Sequence, residues 1–187
     1  MTASDLTHFE FADCLWVRCS GRGSFVNSPA LKTLADKYLD KGGTCIVVDL
    51  EICPGIDSTF MGTLAGLARK ACSVGGSIQI ASPTQRTRAA MESLGLDMIL
   101  DIDPEDAPWR QDSDKRRYTL AEQQQTQDAP PISDLSELER TRHVLEAHNT
   151  LRDLNSKNDE TFGYVCETLE EDLKRHTQQD TGDTPHA

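Results

Sequence analysis

Short runs in which apolar residues alternate with polar ones or stand together recur at Phe9–Phe11, Leu15–Cys19, Cys45–Leu50, Ser77–Ala81 and Met98–Ile102. Each has strand length and is bounded by Gly, Pro or charge, so the pattern predicts five strands. Helical spacing lies between them. Pro29–Leu39 places Leu31, Leu34, Ala35, Tyr38 and Leu39 on one face, Phe60–Val74 does so with Leu64, Leu67, Ala68 and Ala71, and Gln85–Leu94 is a shorter third case. Ser28-Pro29 reads as cap and first turn, and Gly42-Gly43 and Gly75-Gly76 as helix stops. The order β, β, α, β, α, β, α, β opens with a hairpin-like pair. It continues in units that favour right-handed crossovers and parallel strands. The expectation is an α/β domain over residues 1–103, with a single mixed, mostly parallel sheet of about five strands.

From Pro104 to Ile132 the periodicity dissolves into Pro, Gln, Asp and a basic cluster at Lys115, Arg116 and Arg117, which reads as a linker over 104–132. Beyond it, Leu138, Leu145, Leu151 and Leu154, then Phe162, Val165, Cys166, Leu169 and Leu173, recur at mostly helical spacing. The polar break at Asn155, Ser156, Asn158 and Asp159 turns these into a helical hairpin over 133–177. Its apolar stripe needs a cover, either the first domain or a second copy of the chain. Residues 178–187 read as a disordered tail.

The 187 residues carry 31 acidic and 19 basic side chains, a formal charge of −12, and the excess is steepest beyond residue 133. That balance argues against nucleic acid and against an anionic membrane surface, and favours a protein partner. No apolar run is long enough to span a bilayer, and the N-terminal sequence lacks a signal-peptide layout, so a cytoplasmic location is expected. The six cysteines form no C-x-x-C pair and read as small buried hydrophobes in a reducing compartment. The five histidines form no H-E-x-x-H. His143 and His148, five apart, fall off a common helical face, so no metal is expected.

The informative segment runs from Val47 to Gly62: an apolar strand, a turn, then Asp57-Ser58-Thr59-Phe60-Met61-Gly62 at a helix start. Side-chain oxygens there can accept from the first, unpartnered N–H groups of the helix, so a plain cap accounts for the local pattern. The same place suits a phosphate, because a helix N-terminus offers donors and the positive end of a dipole. Strand, turn, Asp57-Ser58-Thr59, Met61-Gly62 and an apolar helix together resemble the phosphorylation segment of STAS-domain anti-sigma factor antagonists. Gly75-Gly76 before Ser77–Ala81 and Leu94-Gly95-Leu96 before Met98–Ile102 are similar to that family's later segments.

The resemblance implies a protein-binding module that is not an enzyme and needs no cofactor. In it Ser58 is the phosphoacceptor, Asp57 orients the site and Thr59 is a neighbouring hydroxyl. It also implies an anti-sigma factor acting as a serine kinase, and a PP2C-type phosphatase to reverse it. Phe60 and Met61 stand where the family commonly has small residues, so this partner surface differs. Gly21-Arg22-Gly23-Ser24 lacks a full phosphate-loop layout. By the resemblance this loop lies beside the phosphosite, which makes Arg22 and Asn27 interface candidates. Two other readings stay open: a static docking protein in which Asp57-Ser58 only caps a helix, and a nucleotide-binding module using the Gly21–Ser24 loop. The C-terminal helices could also join two copies of the chain.

Overall fold

The computed structural model describes residues 6–122 and 135–180. Five strands, β1 (Leu6–Glu10), β2 (Leu15–Cys19), β3 (Cys45–Asp49), β4 (Ser77–Ala81) and β5 (Asp101–Ile102), form one sheet in chain order. β1 is antiparallel to β2, with Leu6 opposite Cys19 and Glu10 opposite Leu15, and every later pairing is parallel. Helices α1 (Ser28–Asp40), α2 (Ser58–Ser73) and α3 (Gln85–Ser93) make the crossovers. When strand order follows chain order, crossovers of one hand all land on one face. That face holds the main core: Leu15, Val17, Ile46, Val48, Ile78 and Ile80 from the strands meet Leu31, Leu39, Phe60, Leu64 and Met91 from the helices. The two-residue period of each strand therefore turns Trp16, Arg18, Val47, Asp49 and Gln79 to the opposite face.

The expected elements shift in three places. The fifth strand shrinks, because Leu96–Met98 forms a 3-10 turn and only Asp101–Ile102 pairs. The first strand is Leu6–Glu10 instead of Phe9–Phe11. Ser28 does not cap α1 but is its first residue; Asn27 is the cap position and makes no side-chain cap bond. The Asn27 amide is used within its own loop, accepting from the Ser24 N–H (2.9 Å) and donating to the Arg22 carbonyl (2.9 Å). The stops at Gly42 and Gly75 hold, both at positive φ (91° and 75°) where a side chain would be strained.

Residues 104–132, expected as a linker, contain a 3-10 turn at Pro108–Asp112 and α4 (Ser113–Glu122). Residues 123–132, like 1–5, 133–134 and 181–187, lie outside the described residues. α4 covers the sheet face that the crossovers leave bare. Trp109 stacks edge-on to Trp16 (ring centroids 5.4 Å apart), and its Nε1 donates to Gln79 Oε1. The basic cluster is equally occupied. Arg116 forms a two-bond fork on Asp13 (2.8 and 2.9 Å), and Arg117 a second one on Asp49 (2.9 and 3.1 Å). Asp49 is fully buried, so these bonds replace the water its charge would otherwise need.

The C-terminal helices are α5 (Glu137–Arg152) and α6 (Ser156–Asp180), so α6 runs three residues into the stretch expected as tail. α5 begins at a capping box in which Ser136 and Glu139 satisfy each other's backbone N–H. It lies across α2, and Leu151 enters the main core with no exposed surface. At the turn, Asn158 is buried and donates to the Leu94 and Leu151 carbonyls, pinning the hairpin to the end of α3. The cover that the apolar stripe required is, for α5, the first domain itself. α6 leaves Tyr164 and Val165 exposed.

Candidate functional site

The turn before α2 is braced from two sides. Asp57 is the N-cap: its Oδ1 accepts from the Phe60 N–H (2.8 Å), while its Oδ2 accepts from the Phe25 N–H (3.0 Å) of the β2–α1 loop. The two backbones also pair directly, Gly23 N–H to the Gly55 carbonyl and Asp57 N–H to the Gly23 carbonyl. A Cβ on Gly23 would press on Ile56 and the Phe60 ring, so only glycine permits this approach. Cys53 and Cys19 lie buried beneath the turn, their thiols donating to the Gly55 and Gly21 carbonyls. Asp57 therefore acts as cap and loop clamp together, and Ser58 is presented at the first turn of α2.

Ser58 does not face solvent freely. Its Oγ lies 3.0 Å from Nε2 of His148 on α5, and the His148 Nδ1 lies 2.8 Å from the Val144 carbonyl. A carbonyl oxygen can only accept, so Nδ1 carries a proton. In the neutral ring Nε2 is then the acceptor, and Ser58 donates to it. One turn along, Gly62 meets the Ala147 backbone so closely that any Cβ there would strike the Ala147 carbonyl. A second ring, His143, sits 2.8 Å from Ser28 Oγ and 3.4 Å from Thr63 Oγ1. Burial lowers its pKa; Glu146 opposes the shift and Lys32 adds to it. The two histidines, about 140° apart on α5, flank its line of contact with α2. Spacing alone would not have joined them. On α2, residues 59–65 are consecutively buried, one side against the sheet and the other under α5.

The named candidates thus divide. Asp57 and Ser58 stand together at the helix start, half-buried; Thr59, Met61 and Gly62 are buried, and Phe60 belongs wholly to the core. Arg22 is exposed on the clamped loop, and Asn27 is buried within it. A cavity of about 180 Å3 opens between α1, α2 and α5, with Lys32, Asp36, Lys70 and Glu146 among its walls. Among the described residues no cluster of three or more His, Cys, Asp or Glu could hold a metal ion, and no helix is long and apolar enough to cross a membrane.

Over residues 9–107 the chain matches the STAS domain family. The chain belongs to that family. This STAS protein is 31% identical over 71 residues to an anti-sigma factor antagonist of Thermotoga neapolitana, a TM1081 homolog. That match takes in 38% of this chain and 63% of the relative's length, so it spans less than two thirds of the relative. The crystal structure of the anti-sigma factor antagonist TM1081 of Thermotoga maritima superimposes with a TM-score of 0.51 at 22% identity, covering 62% of this chain and 97% of that one. Unphosphorylated SpoIIAA, an anti-sigma factor antagonist, follows with a TM-score of 0.48 at 17% identity, covering 60% and 97%. The family match ends at residue 107, so α4 and the α5–α6 hairpin lie beyond it.

Sequence reasoning missed His148 and His143 as neighbours of the site. A signal for them existed in the spacing of Ser58, Gly62 and Gly66, four apart and on one face of α2. Small residues so placed mark where another helix can come close.

Proposed function

We propose that this STAS protein is a phosphorylation-switched protein-binding module of the anti-sigma factor antagonist type, acting without catalysis of its own, with Ser58 as the phosphoacceptor. The observation that carries the reading is the position of the Ser58 hydroxyl in the first turn of α2, behind an aspartate that fixes that turn. A phosphate there would gain from the helix dipole and backbone donors, and would set about −1.5 to −2 charges on a partner-facing edge. The partner is an anti-sigma factor of the serine-kinase type, with a PP2C-type phosphatase as the opposing enzyme. It would read the edge formed by Asp57, Ser58 and the exposed Arg22. Thr59, Met61 and Gly62 become part of that surface only where α5 is displaced. The net charge of −12 suits a protein partner better than nucleic acid.

Phosphopeptide mapping of the protein recovered from its native cells under several growth and stress conditions is the direct test. Phosphate on Ser58 that varies with condition supports the switch; its absence from Ser58 under every condition rejects it. With a kinase-type partner in hand, Ser58→Ala is expected to bind constitutively and Ser58→Asp weakly. Equal calorimetric affinities for the two would refute the mechanism.

A further inference from the structure

We infer that α5 is a built-in cover of the α2 face behind the Ser58 edge: it closes residues 59–66 while leaving the Asp57–Arg22 edge open, is latched by the Ser58–His148 hydrogen bond, and is expelled when Ser58 carries a phosphoryl group. The inference rests on the phosphoswitch reading and adds to it the regulation of the site.

Three observations carry it. The first is occlusion. α5 lies along the α2 face that bears Ser58, Gly62 and Gly66, with the Ala147 backbone against Gly62 and Leu151 in the core. A kinase that must reach Ser58 Oγ meets the His148 ring there, and a partner that docks on α2 meets α5.

The second is the chemistry of the latch. Transfer from a nucleoside triphosphate forms the Oγ–P bond, breaks the bond between the γ-phosphorus and the bridging oxygen of the departing diphosphate, and removes the hydroxyl proton. The phosphoester oxygen then has nothing to donate. The hydrogen bond that Ser58 donates to His148 Nε2 is therefore lost. The phosphoryl group would also need the space that the ring holds at 3.0 Å from Oγ.

The third is that the other polar contacts of the hairpin with the first domain are few: His143 meets Ser28 Oγ at 2.8 Å and Thr63 Oγ1 at 3.4 Å, and Asn158 holds the turn to the Leu94 carbonyl. The ion pairs that join α5 and the residue after it to the first domain, Lys32–Glu146 at 3.8 Å and Arg69–Asp153 at 3.4 Å, are long and exposed and add little.

Hydrogen exchange followed by mass spectrometry on the full chain tests this, comparing the unmodified protein with one carrying phosphoserine installed at position 58 during translation. The expected result is exchange about tenfold faster or more through Glu137–Arg152, with Ile46–Val48 and Ile78–Ile80 unchanged. Unchanged protection of α5 in the phosphoserine chain overturns the inference. So does a loss of protection in the strands of the phosphoserine chain, since the charge would then act on the domain and not on the cover. The two readings fail separately. Phosphate found on Ser58 in cells with α5 unmoved keeps the switch and rejects the cover. Release of α5 by installed phosphoserine, with no phosphate found in cells, keeps the coupling and rejects the switch.

Discussion

Arg117→Ala tests whether α4 is structural or the solvated linker that its sequence suggests. Arg117 gives Asp49 two charge-assisted hydrogen bonds, at 2.9 and 3.1 Å, and its side chain is 11% exposed against 0% for Asp49. Burial works against the Arg117 charge, and Asp49 and Glu51 more than offset it, so the guanidinium is held above its ordinary pKa. Hydrogen bonds to charged groups contribute about 1.5–3 kcal/mol each, which gives roughly 3–6 kcal/mol for the fork. Two features lower that figure. Arg18 stays 3.5 Å from Asp49 Oδ2, and the Glu51 N–H still donates to Oδ1. The expected loss is about 3 kcal/mol, or roughly 6–12 °C in Tm for a chain of this size. Urea and thermal unfolding measure it, with Asp49→Asn/Arg117→Ala recovering part of the loss because an amide is cheaper to bury than a lone carboxylate. A loss below about 1 kcal/mol would refute the reasoning and return 104–122 to the status of a tether.

Gly62→Ala puts a methyl group where the Ala147 carbonyl stands while raising the helix propensity of α2 by about 0.5–1 kcal/mol. The expected outcome is faster amide exchange in α5 with α2 and the strands still protected; undisturbed α5 protection would contradict the close approach. Stability should also depend on His143. Its folded pKa is lowered by burial, so the unfolded chain binds more protons, and this contribution is complete above about pH 6.5 and lost as pH falls towards the folded value. The loss is at most about 1.4 kcal/mol per pH unit. It precedes that from Asp13 and Asp36, whose lowered pKa values place theirs below about pH 4. Tm measured from pH 7.5 to 5.5 should fall more in the wild type than in His143→Gln; parallel curves would refute the assignment.

The first domain was readable because its three central strands obey one rule. Val17, Ile46, Val48, Ile78 and Ile80 sit two apart within their strands and all face α1, α2 and α3. Gly42 and Gly75 announce helix ends that only positive φ can make. α4 escaped because its grip is ionic. Between Ser113 and Glu122 the only aliphatic residue larger than alanine is Leu120, and the work of holding the sheet falls to Arg116, Arg117 and the preceding Trp109, types that read as solvated when partners are unknown. A polar face on β3, with Asp49 beside Val47, was the corresponding clue. A carboxylate within an apolar strand needs a cation from somewhere else in the chain.

Helix α2 carried a similar hidden demand. Periodicity assigned Leu64, Leu67, Ala68 and Ala71 to the sheet and left Ser58, Gly62 and Gly66 as a bare, small-residue face, which on its own fits either solvent or a partner. α5 answers it from within the same chain. What faces those small residues is a backbone carbonyl, a threonine and a histidine, none of which an apolar stripe would advertise. The cover is therefore polar where it touches Ser58 and apolar only at Ala147 and Leu151. That division matters for the switch: a purely apolar cover would resist one added charge only through its buried area. This one meets the hydroxyl through a hydrogen bond whose donor proton is the atom that a phosphoryl transfer to Ser58 would remove.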